Sequence, residues 1–165
     1  MSFKDSTVLK RRVGLRDLDI YLHMNNARYL WNLDFVRVFH VFEMGIYDLL
    51  KQKSIKPHFL LASSTIRYRR SLAFMEKYSI ISNMKYFDDR NIYIQHNFVS
   101  DKDGFLSATA YAKIALPVLT PLEALKEITN LPEDQLKMEC PEDLKDWIEY
   151  INKSSNMLKA AKTSN

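Results

Sequence analysis

Residues 16–29, Arg16-Asp17-Leu18-Asp19-Ile20-Tyr21-Leu22-His23-Met24-Asn25-Asn26-Ala27-Arg28-Tyr29, hold the densest set of groups able to do chemistry. Two carboxylates, an imidazole and two adjacent carboxamides stand just ahead of a segment with helical character. A helix start carries unpaired amides and partial positive charge, so it can stabilise negative charge growing on a carbonyl oxygen. Asp19 and His23, immediately upstream, place a carboxylate and an imidazole where they can face the same carbonyl. That set suits acyl hydrolysis: a polarised carbonyl with a base or nucleophile beside it. It needs no metal, and none is expected. The competing structural explanation is a cap and its turn, since Asp and Asn bond local backbone readily.

Neighbouring elements must position this segment. Asn25 is a suitable N-cap for a helix from Asn26 to about Met44, with Gly45 in the C′ position. On that helix Ala27, Trp31, Phe35, Val38 and Phe42 share an arc free of polar side chains, which predicts that other elements enclose it. Strand-forming runs come next at Phe59–Arg70, Tyr78–Phe87, Ile92–Val99 and Phe105–Ala115, after an earlier one at Thr7–Val13. Asp88–Asn91 and Ser100–Gly104 supply turns. Pro121 opens a short helix over Leu122–Ile128, and a last helix runs from about Pro141 to Ala160 with Leu144, Trp147 and Ile148 at helical spacing. One strand, one long helix, then four strands predict an α+β fold in which an antiparallel sheet of about five strands curls around one helix. The division expected is a main domain over residues 1–120 and a C-terminal helical extension over 121–165 packed on it.

Asp17-Leu18-Asp19 with His23-Met24-Asn25-Asn26-Ala27-Arg28-Tyr29 resembles the signature of hotdog-fold thioesterases of the 4-hydroxybenzoyl-CoA thioesterase type. Leu61-Ala62-Ser63, Arg69-Arg70-Ser71-Leu72, Asp88-Asp89-Arg90 and Asp143-Leu144 with Trp147-Ile148 extend the likeness to the member-six group of the thioesterase superfamily. The resemblance implies an acyl-CoA thioesterase, or one acting on acyl-carrier-protein thioesters. Asp19 is then nucleophile or general base, the amides near Asn26 and Ala27 form the oxyanion hole, and His23 and Asn25 orient the loop or the water. It also implies a homodimer or larger homo-oligomer, with coenzyme A entering only as part of the substrate. Two positions depart from related enzymes: Tyr21 replaces an asparagine, and Leu22 replaces a glycine that is free to take conformations a branched side chain resists. Those departures motivate the alternative of a non-catalytic acyl- or lipid-binding or scaffold protein.

Arg67, Arg69 and Arg70, with Lys10, Arg11 and Arg12, suit phosphate groups, against the bland reading of charged strand ends. In an extended strand Arg67 and Arg69 share one face and Arg70 takes the other. Tyr21, Ala27 and Ser63 are candidate pocket residues. Asp34, within the helix, is expected to be buried and paired with Arg37 or Arg70. His40 is expected in the core or at an interface, and Trp147 and Tyr150 are expected to anchor the last helix.

Composition sets the outer bounds. In 165 residues there are three glycines, too widely spaced for G-x-G-x-x-G or G-x-x-x-x-G-K-[ST], so a glycine-loop nucleotide fold is excluded. Cys140 is the single cysteine, which leaves no intrachain disulfide and fits a reducing, cytoplasmic setting. No apolar run approaches the roughly 20 residues of a membrane span. An endoplasmic-reticulum association is the alternative, because member-six proteins commonly carry an N-terminal anchor. The net charge of +4 is uneven: residues 1–90 hold 16 Lys/Arg against 9 Asp/Glu. That favours an anionic small-molecule ligand, while a nucleic-acid role for Arg67-Tyr68-Arg69-Arg70 is not expected.

Overall fold

A computed structural model describes residues 5–163. The elements in chain order are β1 (Thr7–Arg12), a single 3-10 turn (Leu15–Asp17), α1 (Asn26–Glu43), α2 (Ile46–Gln52), β2 (Leu60–Tyr68), β3 (Lys77–Phe87), β4 (Asn91–Ser100), β5 (Leu106–Ala115), α3 (Pro121–Thr129), α4 (Glu133–Leu136) and α5 (Glu142–Thr163). All strand pairings are antiparallel and the order is β1-β3-β4-β5-β2. The sheet curls against α1, giving the α+β architecture that the element order predicts and the hotdog fold that the resemblance implies.

Local chemistry explains the boundaries. Asn25 caps α1, its Oδ1 accepting from the Ala27 amide at 2.8 Å. Gly45 ends the helix at φ +81°, a conformation that costs glycine little, and doubles as the cap of α2. Asp88 closes the β3–β4 turn by accepting from the amides of Arg90 and Asn91. Thr120 and Glu123 form a reciprocal capping box at α3, with Pro121 in its first turn. The short helices α2 and α4 are additions to the elements that the sequence pattern predicts.

The face of α1 that meets the sheet differs from the one expected. Tyr29, Leu33, Val36 and Val41 are buried, together with polar Asn32 and His40. Trp31, Phe35, Val38 and Phe42, expected to be enclosed, are exposed, as is Phe39. The sheet covers one side of the rod only. Polar residues are tolerated beneath it because the sheet supplies partners: Asn32 Nδ2 donates to the Tyr78 hydroxyl at 3.2 Å, and His40 Nδ1 lies 2.6 Å from Thr7 Oγ1.

Two apolar clusters fill the space between helix and sheet. One gathers Tyr29, Leu33 and Val36 with Tyr78, Ile80 and Phe98; the other gathers Val41 and Met44 with Met84, Ile92, Ile94 and Ile114. Between them runs a polar row set by strand register: Thr7 opposite Ser82, Ser82 opposite His96. Leu125 of α3 and Leu136 of α4 belong to the second cluster. On the other face of the sheet, α5 packs Leu144 and Trp147 against Tyr93 and Tyr111, and the Tyr111 hydroxyl donates to Asp143 at 3.0 Å. Tyr150, expected as a second anchor, is exposed.

Candidate functional site

Asp19 sits in a tight reversal between the 3-10 turn and α1. Its amide donates to the His23 carbonyl at 2.9 Å, and its carbonyl accepts from Leu22 at 3.1 Å. Its carboxylate closes the same turn: Oδ1 accepts from the amides of Tyr21 at 2.9 Å and His23 at 3.3 Å. Oδ2 has no protein partner among the described residues. Leu22 holds φ +60°, so the loop keeps the left-handed turn that glycine would take easily. For an L-residue that conformation costs about 1–2 kcal/mol.

Backbone bonds pin the loop on both sides. The Asn25 amide donates to the Asp17 carbonyl and the Met24 amide to the Leu72 carbonyl, both at 2.8 Å. His23 pairs as an isolated bridge with Ala73. Asp19 is half-buried, whereas Ile20, Tyr21 and Leu22 are 87%, 73% and 67% exposed. A single chain therefore gives Asp19 an open ledge.

Where α1 begins, the amides divide. Ala27 N–H is taken by Asn25 Oδ1 and Arg28 N–H by the Asn25 carbonyl. Asn26 N–H finds no acceptor among the described residues, which leaves it free to meet an anionic oxygen. Tyr68, at the end of β2, donates its hydroxyl to the Asn26 carbonyl at 3.1 Å and sets its ring edge-on to Tyr29, centroids 5.2 Å apart. Burial raises the Tyr68 hydroxyl pKa, keeping it a donor. Sequence reasoning misses Tyr68 as a site residue, although it is the aromatic interleaved among Arg67, Arg69 and Arg70.

The other candidates scatter. Ser63 lies five residues up β2 from Tyr68, roughly 16 Å along a strand, and lines a groove with Lys113, Tyr150 and Ser154. Arg67 is exposed on β2. The strand stops at Tyr68, so the alternation expected to part Arg69 from Arg70 ends there: both amides donate to the Ser107 carbonyl and both guanidinium groups lie over Phe105. Arg70 is held bidentately by Asp103 at 2.7 and 2.8 Å, which raises its pKa and depresses that of Asp103. Asp34 pairs with Arg37 at 2.7 Å, as expected, but it is exposed rather than buried.

A different basic cluster flanks the loop. A cavity of about 370 Å³ is lined by Arg11, Arg12, Arg16 and Arg28 around Asp17. Arg28 Nε bonds Asp17 Oδ1 at 2.9 Å, its guanidinium stacked 4.5 Å from the Trp31 ring centroid, and Asp17 Oδ2 accepts from Gly14 N.

Residues 13–148 match the family described as the thioesterase-like superfamily. Among curated relatives, protein THEM6 of Danio rerio is 35% identical over 156 residues, covering 93% of this chain and 74% of its own length. The solved structure of YbaW, a probable thioesterase from Escherichia coli, superposes at a TM-score of 0.61 with 22% identity, over 73% of this chain and 94% of that one. An aspartate-to-asparagine mutant of 4-hydroxybenzoyl-CoA thioesterase, crystallised with 4-hydroxybenzoyl-CoA, superposes at 0.59 with 13% identity, over 67% and 82%. With strand order, helix placement and sequence in agreement, the chain belongs to the thioesterase-like superfamily, in its hotdog fold.

Proposed function

We propose that this protein hydrolyses acyl-CoA thioesters to the free acid and coenzyme A, with Asp19 at the reacting centre. The observation that carries the reading is a carboxylate with one oxygen fixed by two backbone amides and the other unpartnered, close in sequence to the unpaired Asn26 amide of an 18-residue helix. Asp19 Oδ2 acts as base on water or as nucleophile on the thioester carbonyl. Asn26 N–H then donates to the oxyanion. Collapse of the tetrahedral species breaks the C–S bond. In the base route the departing thiolate takes up the proton that Asp19 removed from water. In the nucleophilic route it takes one from solvent, while a water then hydrolyses the acyl–Asp19 anhydride to the free acid. His23 and Asn25 hold the loop and the cap.

A second copy completes the site in this reading. β2 is a sheet edge exposed on both faces, and the uncovered apolar side of α1 lies on the same protomer. Edges of this kind are normally paired or covered. A homodimer that covers them gives the open ledge beside Asp19 its missing wall.

The test is release of free thiol across acyl-CoA chain lengths by the native protein and by Asp19→Asn. Asparagine keeps an oxygen for the Tyr21 and His23 amides, so the turn survives while the charge is lost. Turnover should fall roughly 10²–10⁴-fold. Acyl-CoA binding by calorimetry with no thiol released would replace hydrolysis by the non-catalytic holder.

A further inference from the structure

The cavity beside the α1 start is out of electrostatic balance. Four arginines, Arg11, Arg12, Arg16 and Arg28, line it with one carboxylate, and both oxygens of that Asp17 are already bonded, to Arg28 Nε and Gly14 N. Arg11 Nε is buried without any hydrogen-bond partner. Tyr78, 1% exposed, also lines the cavity; its oxygen accepts from Asn32, and its own hydrogen has no acceptor among the described residues. Arg12 and Arg16 are exposed, so the cavity keeps an excess of accessible cationic donors over its single carboxylate, which favours an anion with several acceptor oxygens. A volume of about 370 Å³ falls within the roughly 300–1,000 Å³ of small-ligand sites.

We propose that this cavity is a phosphate-binding subsite for the nucleotide end of coenzyme A, which rests on the thioesterase reading above. Guanidinium groups match phosphate oxygens in pairs. Among the other arginine candidates, Arg70 is committed to Asp103 and Arg69 lies over Phe105, whereas Arg12 and Arg16 have no carboxylate partner among the described residues. The Asn25–Asp17 backbone bond and the Arg28–Asp17 ion pair tie the cavity wall to the loop that carries Asp19. A phosphate held there fixes the substrate relative to the reacting carbonyl.

Calorimetry with adenosine 3′,5′-bisphosphate and with inorganic phosphate, on the native protein and on Arg12→Gln/Arg16→Gln, reads the site without requiring turnover. Both residues are exposed, so the fold should tolerate the change. Bisphosphate should bind the native protein and weaken roughly 10- to 100-fold in the double variant. In thiol release, the double variant should raise KM for acyl-CoA with kcat unchanged and leave S-acyl-N-acetylcysteamine, which lacks the nucleotide, unaffected. No binding to the native protein, or equal binding by both proteins, overturns the subsite. Inorganic phosphate binding as tightly as the bisphosphate makes it a plain anion site and overturns the coenzyme A assignment. Bisphosphate binding without hydrolysis of any thioester supports the subsite and refutes the enzymatic reading alone.

Discussion

The Tyr68 hydroxyl donates to the carbonyl of Asn26 across 3.1 Å, tying the end of an edge strand to the first residue of the central helix. This bond joins two elements 42 residues apart in sequence, at the residue whose amide is proposed to hold the oxyanion. Tyr68→Phe keeps the ring against Tyr29 and removes only the bond. Thermal melting should show a loss of about 0.5–1.5 kcal/mol. Thiol release should fall several-fold in kcat, with KM little changed. A full-rate Tyr68→Phe protein would show that the strand does not position the helix start.

Leu22 supplies a test in the opposite direction. At φ +60° glycine relieves steric strain, while a β-branched residue worsens it. Leu22→Gly should raise the melting temperature and Leu22→Ile should lower it, the two differing by about 1–2 kcal/mol. Because the side chain is exposed, no packing loss confuses the comparison.

His40 and His96 make stability depend on pH. Burial lowers His40 from 6.5 to about 4 and His96 from 6.5 to about 3, with neighbouring Glu43 partly opposing the shift at His40. Both stay neutral when folded, while the unfolded chain protonates them near pH 6.5. Their contribution is complete above pH 6.5 and is lost as the pH falls from there toward 4 and then 3, at up to about 1.4 kcal/mol per pH unit for each histidine. Urea midpoints should decline as the buffer is taken from about pH 7.5 to about pH 5, and His96→Gln should flatten that decline.

The uncovered side of α1 gives an assembly prediction. Val38→Asp with Phe39→Asp places two carboxylates on exposed positions of that face without touching the sheet-facing Tyr29, Leu33 or Val36. Sedimentation should report a dimer for the native protein and a monomer for the variant, with far-UV circular dichroism unchanged. A native monomer would remove the second copy from the proposed site.

The sequence makes some of this legible and hides the rest for identifiable reasons. Asn25 and Gly45 bracket α1 because both ends depend on local backbone chemistry, and the structure shows both as expected. The strand runs and their antiparallel plan follow from alternation and turn residues. Which side of α1 meets the sheet is not legible: both sides carry apolar residues, and Asn32 and His40 are buried only because Tyr78 and Thr7 supply partners distant in sequence. α2 escapes notice despite Ile46, Leu49 and Leu50 at helical spacing, because its seven residues are few. The directions expected for Arg69 and Arg70 fail because alternation holds only while a strand lasts, and β2 ends at Tyr68. The cluster of Arg11, Arg12, Arg16 and Arg28 is invisible as a unit in the sequence, since a strand, a turn and a helix each contribute to it.

The strand order has a consequence for how the chain is made. β3, β4 and β5 are consecutive hairpins in the middle of the sheet, whereas its margins, β1 and β2, are synthesised first. β1 has no partner until β3 exists, and β2 none until β5, whose last residue lies 47 positions beyond Tyr68. At about 5–20 residues per second the ribosome takes several seconds to cover that distance. Throughout that interval β2 is an unpaired margin, and β1 is one until β3 follows it, with Leu60, Leu61 and Phe35 uncovered. Nascent chains of this topology thus place their demand on chaperones early in translation, before the central meander can close over them.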